Sequence, residues 1–180
     1  MIKYDCIFFD RDGTVNHDPG YISKLKYFKF FEFAIEAMTL LANVSDKFIM
    51  VTNQSGVSRG LIDELDLLKI NDYIMSEFTN NGIPLIKIYY CTDHPDFASE
   101  RRKPGVSMFQ EASRDFDINL TNCLMIGDSA SDIEPAITLG MDSMLVLTGN
   151  GEIDQKDLVN GKKPKYITKN ILTGARLLNK

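Results

Sequence analysis

Two aspartates stand two residues apart in the stretch Phe8-Phe9-Asp10-Arg11-Asp12-Gly13-Thr14, where an apolar run turns to charge in one step. Unpaired, two close carboxylates repel and raise each other's pKa, so something has to compensate them. A divalent cation is one answer. Magnesium takes oxygen ligands and is held by one or two carboxylates together with substrate phosphate oxygens. A surface loop with scattered acids, or an aspartate capping the turn at Gly13, is the other. On this stretch alone both readings stand.

Three more polar signals follow along the chain. Thr52-Asn53-Gln54-Ser55-Gly56 offers small hydroxyl and amide donors to an anion. Taken alone it reads more readily as a turn before a helix, with Ser55 or Ser58 as N-cap. Arg101-Arg102-Lys103-Pro104-Gly105 puts three cations together in an acidic protein. A lysine before a proline-started helix can neutralise phosphate charge, although a solvated basic patch has the same composition. Gly127-Asp128-Ser129-Ala130-Ser131-Asp132 carries another carboxylate beside a glycine, with Asp132 placed to cap the next helix.

All four signals follow short apolar runs of β type, at residues 4–9, 47–52, 86–91 and 122–126, with a fifth run at 143–147. Such runs suit strands covered on both faces. Helical patterns alternate with them at 33–42, 61–78, 106–116, 131–139 and 171–178. The second of these has two apolar rows, Leu61, Leu65, Leu68 and Leu67, Ile70, Ile74, Phe78. Strand–helix alternation predicts an α/β fold with a doubly wound, Rossmann-like parallel sheet, whose ligands bind beyond the carboxyl ends of the strands. Residues 148–165 read as an irregular loop with no assigned role.

The composition bounds the function. The chain has 180 residues, 44% hydrophobic and 25% charged, enough for a single domain over residues 1–180. Its net charge of -5 argues against a nucleic-acid or membrane-surface partner. No segment has the length and apolarity of a bilayer span or a signal peptide. The cysteines, Cys6, Cys91 and Cys123, are three in number and widely spaced, so a reducing cytoplasm is expected. Nothing suggests a large apolar patch at either end, so a monomer is expected.

Taken in order, DxDGT, TNQSG, RKPG and GDSASD resemble the motifs of the haloacid dehalogenase-like (HAD) phosphohydrolases, and the resemblance spans nearly the whole chain. It implies Asp10 as a nucleophile that forms an aspartyl-phosphate and Asp12 as general acid, then base. It implies Mg2+ held by Asp10, the backbone carbonyl of Asp12, and Asp128. Thr52 and the Asn53 amide would grip the phosphoryl oxygens with Gln54 and Ser55 beside them, Lys103 would balance charge, and Asp132 would support the metal site from behind. No separate cap domain fits in the chain, only a flap around residues 15–27.

A narrower resemblance joins Asp18-Pro19-Gly20-Tyr21, Arg59-Gly60, Tyr89-Tyr90-Cys91, His94-Pro95 and Arg102-Lys103-Pro104 to the capless branch. That branch holds the D-glycero-D-manno-heptose 1,7-bisphosphate 7-phosphatases and the histidinol-phosphate phosphatases. Asp18, Tyr21, Arg102 and Lys103 would then meet a sugar phosphate and its second phosphate. Many members bind a structural zinc through Cys-x-His and Cys-x-Cys. The matching positions here hold Cys91, Asp93, Ser99 and Arg101, so zinc is not expected. Heptose bisphosphate is the first expectation, histidinol phosphate the alternative, and a non-catalytic phosphate-binding module the reading from another class.

Overall fold

The computed structural model describes residues 4–158 and 163–180. Six parallel strands form one sheet in the order β3-β2-β1-β4-β5-β6. They are β1 Cys6–Phe9, β2 Phe48–Asn53, β3 Leu85–Cys91, β4 Cys123–Gly127, β5 Asp142–Val146 and β6 Tyr166–Thr168. The helices are α1 Ala34–Leu41, α2 Glu64–Asn80, α3 Ser107–Phe116, α4 Ala130–Thr138, α5 Gly151–Asp157 and α6 Ile171–Leu178. Among the described residues, no helix is long and apolar enough to cross a membrane.

The central strands are apolar at every position because both faces are covered. All four residues of β1 are buried, Ile7 and Phe9 in one core cluster and Cys6 and Phe8 in the other. The first cluster takes in residues of α1, α2 and α6, the second residues of α3 and α4. Phe9 stacks on Phe78 of α2 with centroids 6.0 Å apart, and Phe8 meets Phe109 of α3 at 5.3 Å. Each such ring buries enough apolar surface to be worth about 2–3 kcal/mol. Cys6 and Cys123 are buried register partners on β1 and β4.

Three expectations are corrected. On α2 the row Leu67, Ile70, Ile74 and Phe78 is buried, whereas Leu61, Leu65 and Leu68 are exposed. Its N-cap is Asp63, whose side chain accepts from Leu65 N, rather than Ser55 or Ser58. The segment 148–165 is not a plain loop: α5 lies within it, while residues 159–162, including Gly161, lie outside the described residues.

Between β1 and α1 the chain forms a flap. Asn16 bridges to Asp12 and Phe30, a 3-10 turn covers Leu25–Tyr27, and Lys24 pairs with the buried Asp66 of α2. Tyr21 on this flap is half exposed, and its ring lies so close to Gly56 that a side chain there would collide with it.

Candidate active site

The carboxyl ends of β1, β2 and β4, the flap and Lys103 enclose a cleft of about 400 Å³. Its lining holds Asp10, Asp12, Asp18, Tyr21, Thr52, Asn53, Gln54, Ser55, Lys103 and Asp128, together with Asp132 and Asn150. Arg102 is not part of the lining. Its guanidinium donates to the Asp93 carbonyl at 3.3 Å, on the loop after β3.

Lys103 organises the acids. Its Nζ donates to Asp10 Oδ1 at 2.7 Å, to Asp132 Oδ1 at 2.5 Å and to the Val51 carbonyl at 2.7 Å. Burial by itself would push this ammonium towards its neutral form. The charges of Asp10 and Asp132 outweigh that and hold its pKa above the ordinary value. The Asn53 side chain fixes the Lys103 backbone from both sides, Nδ2 to Lys103 O at 2.9 Å and Lys103 N to Oδ1 at 3.0 Å. Those bonds use Oδ1 and one of the two Nδ2 protons, so a phosphoryl contact from Asn53 is left to the second Nδ2 proton or to the backbone N–H.

Asp10, Asp128 and Asp132 each offer an oxygen within 4.8 Å of the others'. The three are not equivalent. Asp132 is engaged at both oxygens, Oδ1 by Lys103 and Oδ2 by the backbone and hydroxyl of Ser129 in the capping box that starts α4. Burial pushes Asp10 up to about 7 and Asp128 up to about 8, each helped by neighbouring carboxylates. Such crowded buried acids, all hard oxygen donors, fit a divalent cation.

The cradle around Asp128 was not visible in the motifs. Its Oδ2 accepts from Asn150 N at 2.8 Å. Gly13 (φ 79°) and Gly149 (φ 55°) lie against it, and a Cβ at either would fall on its carboxylate. Thr148 Oγ1 donates to the Gly13 carbonyl at 2.6 Å, and Asp154 of α5 accepts from Ala130 N at 2.7 Å. Residues 148–154 thus close the back of the site. Only the glycine spacing hinted at this in the sequence.

Asp12 turns its carboxylate away from the other acids. Oδ1 accepts from Arg11 Nε (3.0 Å) and Asn16 Nδ2 (2.8 Å), and Oδ2 from Arg11 Nη2 (2.7 Å) and Gln54 Nε2 (2.8 Å). Burial alone would raise its pKa. The Arg11 charge and these hydrogen bonds reverse the effect and hold it below the usual carboxylate range.

The loop after β3 does not fit zinc. Of its four matching positions, Asp93 accepts from Ser99 N at 2.8 Å and from Ser99 Oγ at 2.5 Å. Arg101 pairs with Glu111 and donates to the Tyr90 carbonyl at 3.2 Å. Three of the four side chains are spent on one another or on neighbouring groups, and an arginine supplies no ligand atom. These direct hydrogen bonds order the loop.

The chain is similar to known proteins in sequence and in fold. Residues 100–173 match the HAD-hydrolase-like family model. The chain is 37% identical over 154 residues to D-glycero-beta-D-manno-heptose-1,7-bisphosphate 7-phosphatase of Photorhabdus laumondii, covering 82% of this chain and 81% of that protein. It is 33% identical over 153 residues to D-glycero-alpha-D-manno-heptose-1,7-bisphosphate 7-phosphatase of Burkholderia mallei, covering 81% of each. The crystal structure of D,D-heptose 1,7-bisphosphate phosphatase from B. bronchiseptica, complexed with magnesium and phosphate, superposes with a TM-score of 0.87 at 28% identity, over 97% of each chain.

Proposed function

We propose a function from one premise: the chain belongs to the family of the D-glycero-D-manno-heptose-1,7-bisphosphate 7-phosphatases, within the HAD-like hydrolases. It is a phosphatase. Our reading is Mg2+-dependent removal of the 7-phosphate from a heptose 1,7-bisphosphate through an aspartyl-phosphate. The observation that carries it is the convergence of Asp10, Asp128 and Lys103 in one cleft beside Thr52.

Asp10 and Asp128, through their carboxylates, and Asp12, through its backbone carbonyl, would hold Mg2+. The ion, when bound, neutralises phosphoryl charge and helps to keep phosphorus in line for attack. Asp10 attacks phosphorus, and the bond to the sugar oxygen breaks. Asp12 gives that oxygen its proton, the incoming phosphate anion having raised its affinity for one. Lys103 offsets the charge gathering on the phosphoryl oxygens, with the Thr52 hydroxyl and the Asn53 backbone N–H as further donors. Asp12, now a carboxylate, takes a proton from water, which attacks phosphorus and frees Asp10 and inorganic phosphate.

The test is turnover of heptose 1,7-bisphosphate in both anomers, histidinol phosphate and p-nitrophenyl phosphate, with and without Mg2+. The bisphosphate is expected to have the highest kcat/KM, and a preference for histidinol phosphate overturns the substrate assignment. Arg102 stands beside Lys103 but outside the cleft lining, so it can meet only a second phosphate that projects beyond the cleft. On that reading Arg102→Ala is expected to lower kcat/KM on the bisphosphate by about 10²-fold and on the aryl phosphate by less than about 3-fold. Equal losses remove the second-phosphate role. Gly149→Ala forces a Cβ onto the Asp128 carboxylate from a backbone conformation that L residues rarely adopt. The displacement of that carboxylate is expected to cost about 10²-fold in kcat and to shift the Mg2+ titration to higher concentration.

A further inference from the structure

We propose that Arg11, acting through Gln54, is the positioning residue for the proton-transferring carboxylate of Asp12, and ties its orientation to that of the phosphate-gripping Thr52. The proposal rests on the aspartyl-phosphate reading above and assigns a role to two side chains that the reading leaves idle.

Arg11 is 0% exposed. A buried guanidinium is strongly unfavourable unless paired, so its partners define its role. The backbone turns at once after it, Thr14 N, Val15 N and Asn16 N all pointing to the Arg11 carbonyl at 3.0–3.4 Å. That turn lets two adjacent side chains meet, which a continuing strand would send to opposite faces. Nε and Nη2 then grip both oxygens of Asp12 in a parallel fork, which fixes the carboxylate plane as well as its position.

Gln54 is the second arm. Its Oε1 accepts from Arg11 Nη2 at 3.0 Å, which settles which way round the amide lies. Its Nε2 then donates to Asp12 Oδ2 at 2.8 Å and to Thr52 Oγ1 at 3.0 Å. A hydroxyl that accepts this bond keeps its own proton for another acceptor, and a phosphoryl oxygen in the cleft is one. One guanidinium therefore sets the acid oxygen and, through one amide, the phosphate donor. Gln54, expected to bind phosphate itself, has both ends of its amide already committed to this relay.

Leaving-group dependence tests this. An alkyl phosphate needs its departing oxygen protonated, whereas p-nitrophenolate leaves without help. First-turnover release, followed by rapid quench, isolates the step before water attack. Arg11→Lys keeps the charge and loses the fork. It is expected to slow release of the sugar alcohol from heptose bisphosphate about 10²-fold, and release of p-nitrophenolate about 2–5-fold, the part that a disturbed Thr52 takes from both substrates. If Arg11→Lys fails to fold, Gln54→Met carries the test, with about a 10-fold loss on the alkyl substrate and little on the aryl one. Equal losses on both substrates, or none on the alkyl one, overturn the proposal. Failure of the underlying reading is distinct: the unmodified enzyme would then release alcohol with no phosphorylated Asp10 in the acid-quenched first turnover, or would release none.

Discussion

Asp10→Asn leaves a folded protein with turnover reduced by about 10⁴-fold or more, the scale on which removing a covalent nucleophile acts. The argument begins at the end of β1, where four buried residues hold the Asp10 backbone and Asp10 N donates to the Ile126 carbonyl of β4 at 2.9 Å. None of that depends on the carboxylate. An asparagine carbonyl still accepts from Lys103 Nζ, now 2.7 Å from Asp10 Oδ1, and the neutral amide is easier to bury than a charge whose pKa is pushed up to about 7. The metal-free thermal midpoint therefore stays level or rises, and circular dichroism is unchanged. An amide of negligible nucleophilicity forms no acyl-phosphate, so acid-quenched labelling marks the parent at the peptide containing Asp10 and leaves the variant blank. Residual activity of a few per cent would move the attacking group elsewhere.

How much of this could be read from the residues follows from which forces are local. The strands β1, β2 and β4 are legible because burial on both faces demands apolar side chains at every position, and that demand is written directly in CIFF and FIMV. The acids are legible because a charge straight after such a run has to face an end of the sheet. β6 and α5 were missed for the converse reason. Three edge residues with Ile167 exposed, and a helix reading GEIDQKD, bury too little to impose a period.

The site followed the same division. Thr52 and Lys103 announce themselves by type and place. Arg11 between two acids looks like a solvated charge, and only the fold, which brings Gln54 from just beyond β2 against it, shows it as a buried one. The Asp128 cradle depends on contacts with Asn150 and Gly149, some twenty residues further on. Asn53 shows the limit of type alone: its amide, suited to phosphate, also pins the Lys103 backbone through Oδ1 and one Nδ2 proton.

Lys103→Met has the second large effect, and pH separates its causes. Turnover falls by about 10³-fold because a cation aimed at the developing phosphoryl charge is gone. The stability effect is pH-dependent. In the metal-free parent, Asp10 and Asp128 titrate near 7 and 8, far above the roughly 4 of an unfolded aspartate. Between those values the folded protein binds protons that the unfolded chain has released. Their contribution is whole below about pH 4 and is lost as pH rises through 7 to 8. The positive charge of Lys103 is what pulls Asp10 down towards ionisation. Without it Asp10 stays protonated to higher pH, so the decline continues further. At pH 5 the gap is expected to be smaller, because Asp10 is then protonated and needs no cation, and methionine fills the space of the lysine. At pH 8 the buried Asp10 loses its cation, and the gap approaches the roughly 3–5 kcal/mol of a broken buried pair. Denaturant unfolding at the two pH values measures this directly. A gap of the same size at both would assign the effect to lost packing. Mg2+ added at pH 8 narrows a charge-based gap by supplying the missing positive charge to Asp10, and has no purchase on a packing defect.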